Sequence, residues 1–419
     1  MKKTLVLIAV AVPTGIAVGA VDAVFGRVLL YLGAVRDAHT AWFLPFLGLI
    51  GALMAWAYKR YGAGCENGMG MVFEAGHAER EAIPLRLVPF VICATWLTHL
   101  FGGSAGREGV AVQLGAAISH RIGGWLRDAE SQRIMLIAGI AAGFSGLFGT
   151  PFAATAFAME VLTAGKLEHR ALLPAAFAAL CASTTAGLLG LEKFSFPLAA
   201  APEWSAELAL ELTALGIVFG LTGAAFAFCL KRAKKLAQNR LKNPVLRALV
   251  MGVDLSPVLY LLYRGRYCGL GTNLINASLA GEPIYAWDWA LKLALTVLTL
   301  SAGFQGGEVT PLFSIGGKPG RGPGGPPGPA GVLLRGAGLR RSVRLRNEHP
   351  ARPGPHRGRG LRLGSGAALF RRMRPGLCRE RRPVHLFRTG MNTAAVFAAL
   401  HSKARRNGRY FVLQSLLYA

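Results

Sequence analysis

Long apolar runs separated by short polar stretches dominate the first three quarters of the chain. Runs that are poor in charge lie at residues 4–20, 42–58, 88–101, 134–148, 151–163, 171–191, 207–230 and 286–303. A helix needs about 20 apolar residues to cross the hydrocarbon core of a bilayer. The pattern predicts an all-α polytopic membrane protein, in which the shorter or glycine-interrupted runs form tilted, re-entrant or discontinuous helices.

Composition supports a lipid environment. The chain is 53% hydrophobic and 16% charged, with a mean hydropathy of +0.40, whereas a typical soluble domain has about 25% charged residues. Lys2 and Lys3 precede the first run, which fits a signal peptide or an uncleaved first span. The many later runs favour the span, with a cytoplasmic N-terminus in the inner (plasma) membrane. The basic stretch 231–247, which contains no acid, predicts a second cytoplasmic loop.

The net charge of +26 is concentrated near the end of the sequence. Residues 318–419 hold 22 of the 47 Lys and Arg residues and two of the 21 acidic residues, Glu348 and Glu380. The change is abrupt, from an apolar helix start at 308–316 to a Gly/Pro-rich and then Arg-rich stretch. We therefore predict a transmembrane domain at 1–317 and a largely disordered segment at 318–419.

Three interpretations of the basic segment compete. It could bind nucleic acid or anionic lipid, it could be a linker to a small soluble domain, or the reading frame could have shifted. A GC-rich gene read out of frame tends to encode Arg, Gly, Pro and Ala. We favour the frameshift and expect no nucleic-acid partner.

A polar turn, Gly106-Arg107-Glu108-Gly109, interrupts the apolar sequence and is followed by an apolar segment. The free N–H groups of a helix starting here would face the turn and favour an anion. Glu108 could occupy the place of that anion when ionised and leave it when protonated, so that proton and anion binding compete. The alternative is a helix-capping Glu108 paired with Arg107 at an interface.

A second turn of this kind, Gly306-Gly307-Glu308-Val309-Thr310-Pro311, follows the run at 286–303 and opens another apolar helix. Broken helices in corresponding halves of a membrane protein indicate a transport site near the midplane. Further glycine-rich breaks lie at 68–70 and 149–151. The sequence therefore predicts a two-sided anion site.

The sequence contains no motif that is typical of an enzyme. There is no Walker loop, no dinucleotide fingerprint and no clustered set of His, Asp and Cys. The six cysteines are scattered without metal-ligand spacing, so we expect no metal site and no disulfide framework. We expect no cofactor and no enzyme activity.

These residues together resemble the CLC family of chloride channels and transporters, over roughly residues 5–317. The Gly-Arg-Glu-Gly turn is the most specific mark of that family. Gly68-Met69-Gly70 stands where the family has a Gly-Ser-Gly turn, and 307–311 stands where it has Gly-x-Phe-x-Pro. The resemblance implies an inverted repeat with broken helices, a homodimer with a pathway in each subunit, and transport of a small halide anion.

Departures from the family pattern are similar to those of its fluoride/proton antiporter branch. Met69 replaces an anion-coordinating serine, Glu308 and Thr310 occupy the second turn, and Val110 stands where most members have proline. A thioether cannot donate the hydrogen bond with which a serine would stabilise chloride, whereas a protonated Glu and a Thr hydroxyl could donate to fluoride. The resemblance implies that Glu108 is the gate and proton carrier. The other anion-binding residues that we expect are Gly68, Met69, Gly70, Gly106, Arg107, Gly109, Val110, Gly307, Glu308, Val309 and Thr310.

Two further departures concern the proton path and the C-terminal part. Chloride/proton exchangers carry a second proton-handling glutamate just after the position of Glu160, but here that residue is Val161. We expect Glu160 to support the structure. Family members also continue after the second turn with several helices and a late pore tyrosine, which the residues after Gly317 do not match.

The leading hypothesis is that the protein exports fluoride in exchange for protons. We expect it to lie in membrane lipid and to form a homodimer. The alternative is a voltage-gated chloride channel or a chloride/proton exchanger.

Overall fold

The computed structural model describes residues 2–126, 128–163, 165–193, 206–280 and 284–316. The predicted segment 318–419 lies outside these residues. The described chain forms fourteen α-helices and, apart from a single bridge, no β-structure. The helices are α1 (Lys2–Ala38), α2 (Thr40–Phe43), α3 (Leu47–Tyr61), α4 (Met69–Gly76), α5 (Leu87–Leu100), α6 (Glu108–Gly123), α7 (Ala129–Phe148), α8 (Pro151–Val161), α9 (Leu172–Leu188), α10 (Ala206–Arg240), α11 (Pro244–Leu261), α12 (Thr272–Ala280), α13 (Asp288–Ala302) and α14 (Val309–Gly316).

Six helical segments of the described chain are long and apolar enough to cross a membrane. They are Lys2–Ala38, Thr40–Tyr61, Ala129–Phe148, His169–Leu188, Gly216–Arg240 and Pro244–Leu261. Helices α4, α6, α8 and α14 are shorter and follow glycine-containing turns, as the interrupted runs predict. The all-α polytopic class is thereby confirmed.

The basic stretch 231–247 is not a loop, contrary to our prediction. Its first ten residues, Lys231–Arg240, continue α10, and only residues 241–243 separate α10 from α11. Straight-chain Lys and Arg are good helix formers, so the stretch extends the helix past its apolar part. Helix α11 is a further apolar span, which the predicted charge-poor runs do not include.

Small residues let α1 and α9 pack backbone against backbone. A Cβ added to Gly15 would lie 2.9 Å from Cα of Ala178, and one added to Gly19 would lie 2.8 Å from Cα of Ala182. Four-residue spacing of small residues is typical of close helix pairs in membranes. Any larger side chain at either glycine would force the two helices apart.

Helix α6 packs as closely against α7. A Cβ on Gly115 would lie 2.9 Å from the backbone N of Gly143, and one on Gly143 would lie 2.8 Å from the carbonyl carbon of Ala111. Most of α6 is buried from its first residue onward. The predicted gate therefore begins a helix that is fixed in the centre of the fold.

Candidate functional site

The first turn joins α5 to α6. Helix α5 ends at Leu100, Gly102 has a φ of +91°, and α6 begins at Glu108. His99 stabilises the turn, because its ring nitrogens lie 2.8 Å from the carbonyl oxygen of Thr95 and 3.0 Å from that of Ala105. The Gly-Arg-Glu-Gly turn therefore places the N-terminus of a buried helix inside the protein, as the sequence predicts.

Glu108 is the first residue of α6, and only 1% of it is exposed. Its Oε2 accepts a hydrogen bond of 3.0 Å from the backbone N–H of Arg107. Its Oε1 is buried and has no hydrogen-bond partner among the described residues. The carboxylate thus lies where the free N–H groups and the dipole of a helix favour an anion.

Arg107 does not form the interfacial pair with Glu108 that we considered as an alternative. Its side chain is 4% exposed, and the ion pairs of the described chain do not include one between Arg107 and Glu108. Arg107 interacts electrostatically with both Glu108 and Asp22. Asp22 is fully buried in α1, and its two carboxylate oxygens lack hydrogen-bond partners in the part of the chain that the structure describes.

The second turn joins α13 to α14 and lies directly against the first. Helix α13 ends at Ala302, Gly303 has a φ of +106°, and α14 begins at Val309. The N–H of Gly106 donates to the carbonyl of Gly307 over 2.7 Å, and the N–H of Gly307 donates to the carbonyl of Gly106 over 2.8 Å. The structure therefore brings the two glutamate-containing turns together.

Gly106 and Gly307 also make room for the side chain of Glu108. A Cβ on Gly307 would lie 2.6 Å from Oε2 of Glu108 and 2.8 Å from its backbone N, and a Cβ on Gly106 would overlap Oε2. Gly109 is less constrained, since a Cβ there would meet only the Cα of Gly307, at 3.8 Å. The Glu108 carboxylate thus fills the space that glycine leaves at two positions.

The other residues of the second turn surround this pair. Glu308 is half-buried, and Val309 and Thr310 are buried. The hydroxyl oxygen of Thr310 has no hydrogen-bond partner within the described ranges. Lys234 of α10 interacts electrostatically with Glu308. Thr310 is therefore a buried donor whose hydroxyl is available to an anion.

The third turn approaches α6 farther along that helix. Gly68 has a φ of +47° and precedes α4, which begins at Met69. A Cβ on Gly68 would lie 3.1 Å from Oε1 of Gln113, whereas a Cβ on Gly70 would meet only the Cβ of Asn67, at 3.7 Å. Met69 is half-buried and packs against the core. The hydrogen bonds of the described residues do not join Met69 to the other two turns.

The glycine-containing break at 149–151 lies between α7 and α8. Gly149 has a φ of +71° and ends α7, and Pro151 begins α8. At the other end of α8, Oε1 of Glu160 accepts a 3.1 Å hydrogen bond from the N–H of Gly165. Val161 is buried. This local hydrogen bond agrees with a structural role for Glu160.

Sequence reasoning missed several polar residues of this region. Gln113 is 5% exposed, with an amide oxygen that has no hydrogen-bond partner among the residues described. Asp22 and Lys292 are fully buried within the apolar helices α1 and α13. A lone charge in an apolar run is a functional signal in a membrane protein, and that signal could have found both charged residues.

Comparison with known proteins agrees with this geometry. A family model described as "Voltage gated chloride channel" matches residues 50–325. A chloride/fluoride channel protein of Pseudomonas syringae pv. tomato is 34% identical over 307 residues, which are 71% of this chain and 67% of the relative. The H(+)/Cl(-) exchange transporter ClcA of Salmonella arizonae is 24% identical over 343 residues, covering 75% of this chain and 71% of that protein.

Solved structures give the same result for the fold. The crystal structure of a CLC-type fluoride/proton antiporter is 50% identical in sequence, has a TM-score of 0.72, and aligns with 74% of this chain and 79% of its own. A slow cyanobacterial Cl-/H+ antiporter is 21% identical, with a TM-score of 0.63 and coverage of 81% and 80%. The broken helices of this chain thus follow an architecture known from solved anion antiporters.

Proposed function

Because the chain belongs to the voltage-gated chloride channel (CLC) family, we propose that this anion-transport protein exports fluoride in exchange for protons. One observation carries the proposal. The carboxylate of Glu108, with one unpartnered oxygen, is buried against the two turns that Gly106 and Gly307 join. An anionic group thus occupies a place that is built for an anion.

Glu108 would act as gate and proton carrier. When ionised, its carboxylate accepts the N–H of Arg107 and excludes a transported anion of like charge. Protonation removes the charge, so the helix N-terminus no longer favours the side chain over an anion. The neutral side chain then leaves, and the anion takes its place. Return of the carboxylate releases the proton and expels the anion, which couples proton entry to anion exit.

The residues around Glu108 favour fluoride over chloride. Thr310 has a buried hydroxyl without a hydrogen-bond partner in the described chain, and Glu308 beside it could donate when protonated. The Met69 thioether cannot donate to chloride. The proposal is also supported by the 50% identity to a structure described as a CLC-type fluoride/proton antiporter. Gly68, Gly70, Arg107, Gly109, Val110 and Val309 would complete the lining.

We place the chain in the inner (plasma) membrane with a cytoplasmic N-terminus. Lys2 and Lys3 lie at the start of α1 and support this orientation, because cytoplasmic segments of membrane proteins carry an excess of positive charge. The basic end of α10 then lies on the same side. We also propose a homodimer with one pathway in each subunit, as the family resemblance implies.

Liposome transport tests the proposal. The purified full-length chain is reconstituted into vesicles loaded with fluoride or with chloride, and anion release and proton uptake are recorded together. Fluoride release with coupled proton uptake is expected. Equal fluoride and chloride release, or release without proton movement, would contradict it and favour the chloride channel or exchanger.

The chain could be inactive because residues 318–419 are defective or because the proposed function is wrong. The same assay on a chain that carries an alternative reading frame after codon 317 separates these two causes. Activity of the alternative chain alone assigns the defect to residues 318–419. Inactivity of both contradicts the proposed function.

A further inference from the structure

Lys292 of α13 is an ammonium group buried beside the first turn. Its side chain is fully buried. Its Nζ donates to Oγ of Ser104 over 2.9 Å, to the carbonyl of Tyr267 over 3.0 Å and to the carbonyl of Gly269 over 2.6 Å. Three acceptors match the three N–H bonds of an ammonium, so the geometry indicates a charged lysine with all its donors used.

No carboxylate forms an ion pair with this charge among the described residues. Asp288, one helical turn before Lys292, is already bound to the Tyr267 hydroxyl and to Arg266. Arg36, the other cation near the loop that contains Tyr267 and Gly269, is paired with Asp37. An unpaired charge is costly to bury, and a neutral residue could have filled the same space at lower cost.

A polar stripe connects Lys292 to the first turn. Lys292, Thr296 and Thr299 are spaced by four and three residues, which puts them on one face of α13. Oγ of Ser104 lies 3.0 Å from Oγ1 of Thr296, and the backbone N–H of Ser104 donates to Oγ1 of Thr299 over 3.3 Å. All three residues of the stripe therefore bind Ser104.

The contact between Lys292 and Ser104 joins the first turn to the helix that leads into the second turn. Ser104 precedes Glu108 by four residues, so their Cα atoms are at most about 14 Å apart. Helix α13 leads into the second turn. A positive charge in a protein interior is screened less than the same charge in water.

We propose that Lys292 is a positioning residue of the transport site, which holds the first turn against α13 and whose unpaired charge favours occupancy by an anion. The inference rests on the proposed function. Lys292 does not touch the anion; it acts through Ser104 and through its field. A neutral side chain would supply neither the hydrogen bond nor the charge.

Anion binding by the purified full-length chain tests this role without requiring transport. The midpoint of thermal unfolding is measured against increasing sodium fluoride and sodium chloride, because a ligand of the folded state raises the midpoint with its concentration. The variants are Lys292→Met, Lys292→Arg and Ser104→Ala. Lys59→Met, which removes an exposed lysine at the end of α3, is the control.

We expect Lys292→Met to raise the apparent dissociation constant for fluoride about tenfold, or about 1.4 kcal/mol of binding free energy, because the first turn loses its hydrogen bond to α13 and the region loses a positive charge. Lys292→Arg keeps the charge and should restore most of the affinity, and Lys59→Met should leave it unchanged. A merely structural lysine would lower the midpoint without changing the dissociation constant.

Three results separate the possibilities. A midpoint that responds to neither halide, both in the wild type and in the chain with the alternative frame after codon 317, contradicts the proposed function itself. A normal wild-type response with an unchanged constant in Lys292→Met overturns the role of Lys292. If Lys292→Met does not fold, Ser104→Ala decides: a fluoride constant raised about threefold or more supports the role, and an unchanged constant overturns it.

Discussion

Gly106 and Gly307 donate their N–H groups to each other's carbonyl oxygens, over 2.7 and 2.8 Å. They belong to turns in opposite halves of the chain, and each turn is followed by a short buried helix. The pairing brings the N-termini of two helices together at the proposed site. The carboxylate of Glu108 lies over both glycines.

Gly307→Ala should therefore disrupt the site. The added Cβ would lie 2.6 Å from Oε2 of Glu108, so the carboxylate or the turn must move. We expect a destabilisation of about 1–3 kcal/mol, typical of overpacking, and loss of most anion transport, measured by thermal unfolding and liposome flux. Gly220→Ala is the control, because a Cβ at Gly220 meets nothing within 4 Å. Full transport by Gly307→Ala would disprove the steric argument.

Glu108→Gln should abolish proton movement, because an amide cannot carry the proton. We expect proton uptake by loaded vesicles to fall to the level of protein-free vesicles. Glu160→Gln is the matched control, since Glu160 is at the end of α8 and bonds locally to Gly165. It should keep its proton coupling. Normal coupling in Glu108→Gln would remove Glu108 from its proposed role.

Met69→Ser should raise the chloride flux relative to the fluoride flux. The serine hydroxyl restores a donor for chloride, and one hydrogen bond to a charged group corresponds to about tenfold in affinity. The flux ratio in liposomes measures the effect. Met251→Ser makes the same change at a half-buried position of α11 and should leave the ratio unchanged. An unchanged ratio in Met69→Ser would favour the chloride alternative.

Asp128, at the protein surface, makes a pH-dependent contribution to the stability of the folded protein. Its carboxylate accepts from Lys3 over 2.9 Å and from the N–H of Ser131 over 2.9 Å. These contacts, with Lys3 the larger cause, lower the pKa of Asp128 to about 2. Since the folded pKa lies below the unfolded value of about 3.9, the contribution is full above about pH 5 and is lost as the pH falls towards 2.

Asp128→Asn should therefore lower the thermal midpoint slightly and by a constant amount between pH 5 and pH 8. The difference from the wild type should shrink below about pH 4. Asparagine still caps α7, so the comparison isolates the charge. Lys3→Met removes the partner of both Asp128 and Glu130, so it should lower the midpoint more than Asp128→Asn, and that difference should also shrink as the pH falls. A difference that grows as the pH falls would contradict the assignment.

The frameshift prediction is tested on the DNA. Translation of the gene around codon 317 in all three frames is expected to yield apolar helices with a late tyrosine. A confirmed frame whose basic tail occurs in related genes would contradict it. Salt-dependent binding of nucleic acid by the full chain, lost when residues 318–419 are removed, would instead support the basic-tail interpretation.

Much of the fold followed from local patterns. The Gly-Arg-Glu-Gly turn marked the start of α6 at Glu108 correctly, since glycine followed by an apolar run signals a chain break at short range. The basic end of α10 was misassigned because positive charge indicates the side of the membrane but not whether the backbone is helical. Helix α11 was overlooked beside it.

Direct contact between the turns could not be derived from spacing. The hydrogen bonds of Gly106 and Gly307 use only backbone atoms, which are the same in every sequence. The contacts of Ser104 could not be predicted for another reason: hydroxyls are common in membrane helices, and only the three-dimensional structure shows that Ser104 meets both Thr296 and Lys292.

The bridge between the turns is made entirely of amide and carbonyl groups. Such groups do not titrate, so protonation of Glu108 leaves the donors and acceptors of the bridge unchanged. In the proposed transport cycle the bridge is therefore the constant part, and the side chain at position 108 is the part that changes. Substitutions of Glu108 by shorter, longer, neutral or charged residues can thus be compared with the backbone bridge between Gly106 and Gly307 unchanged.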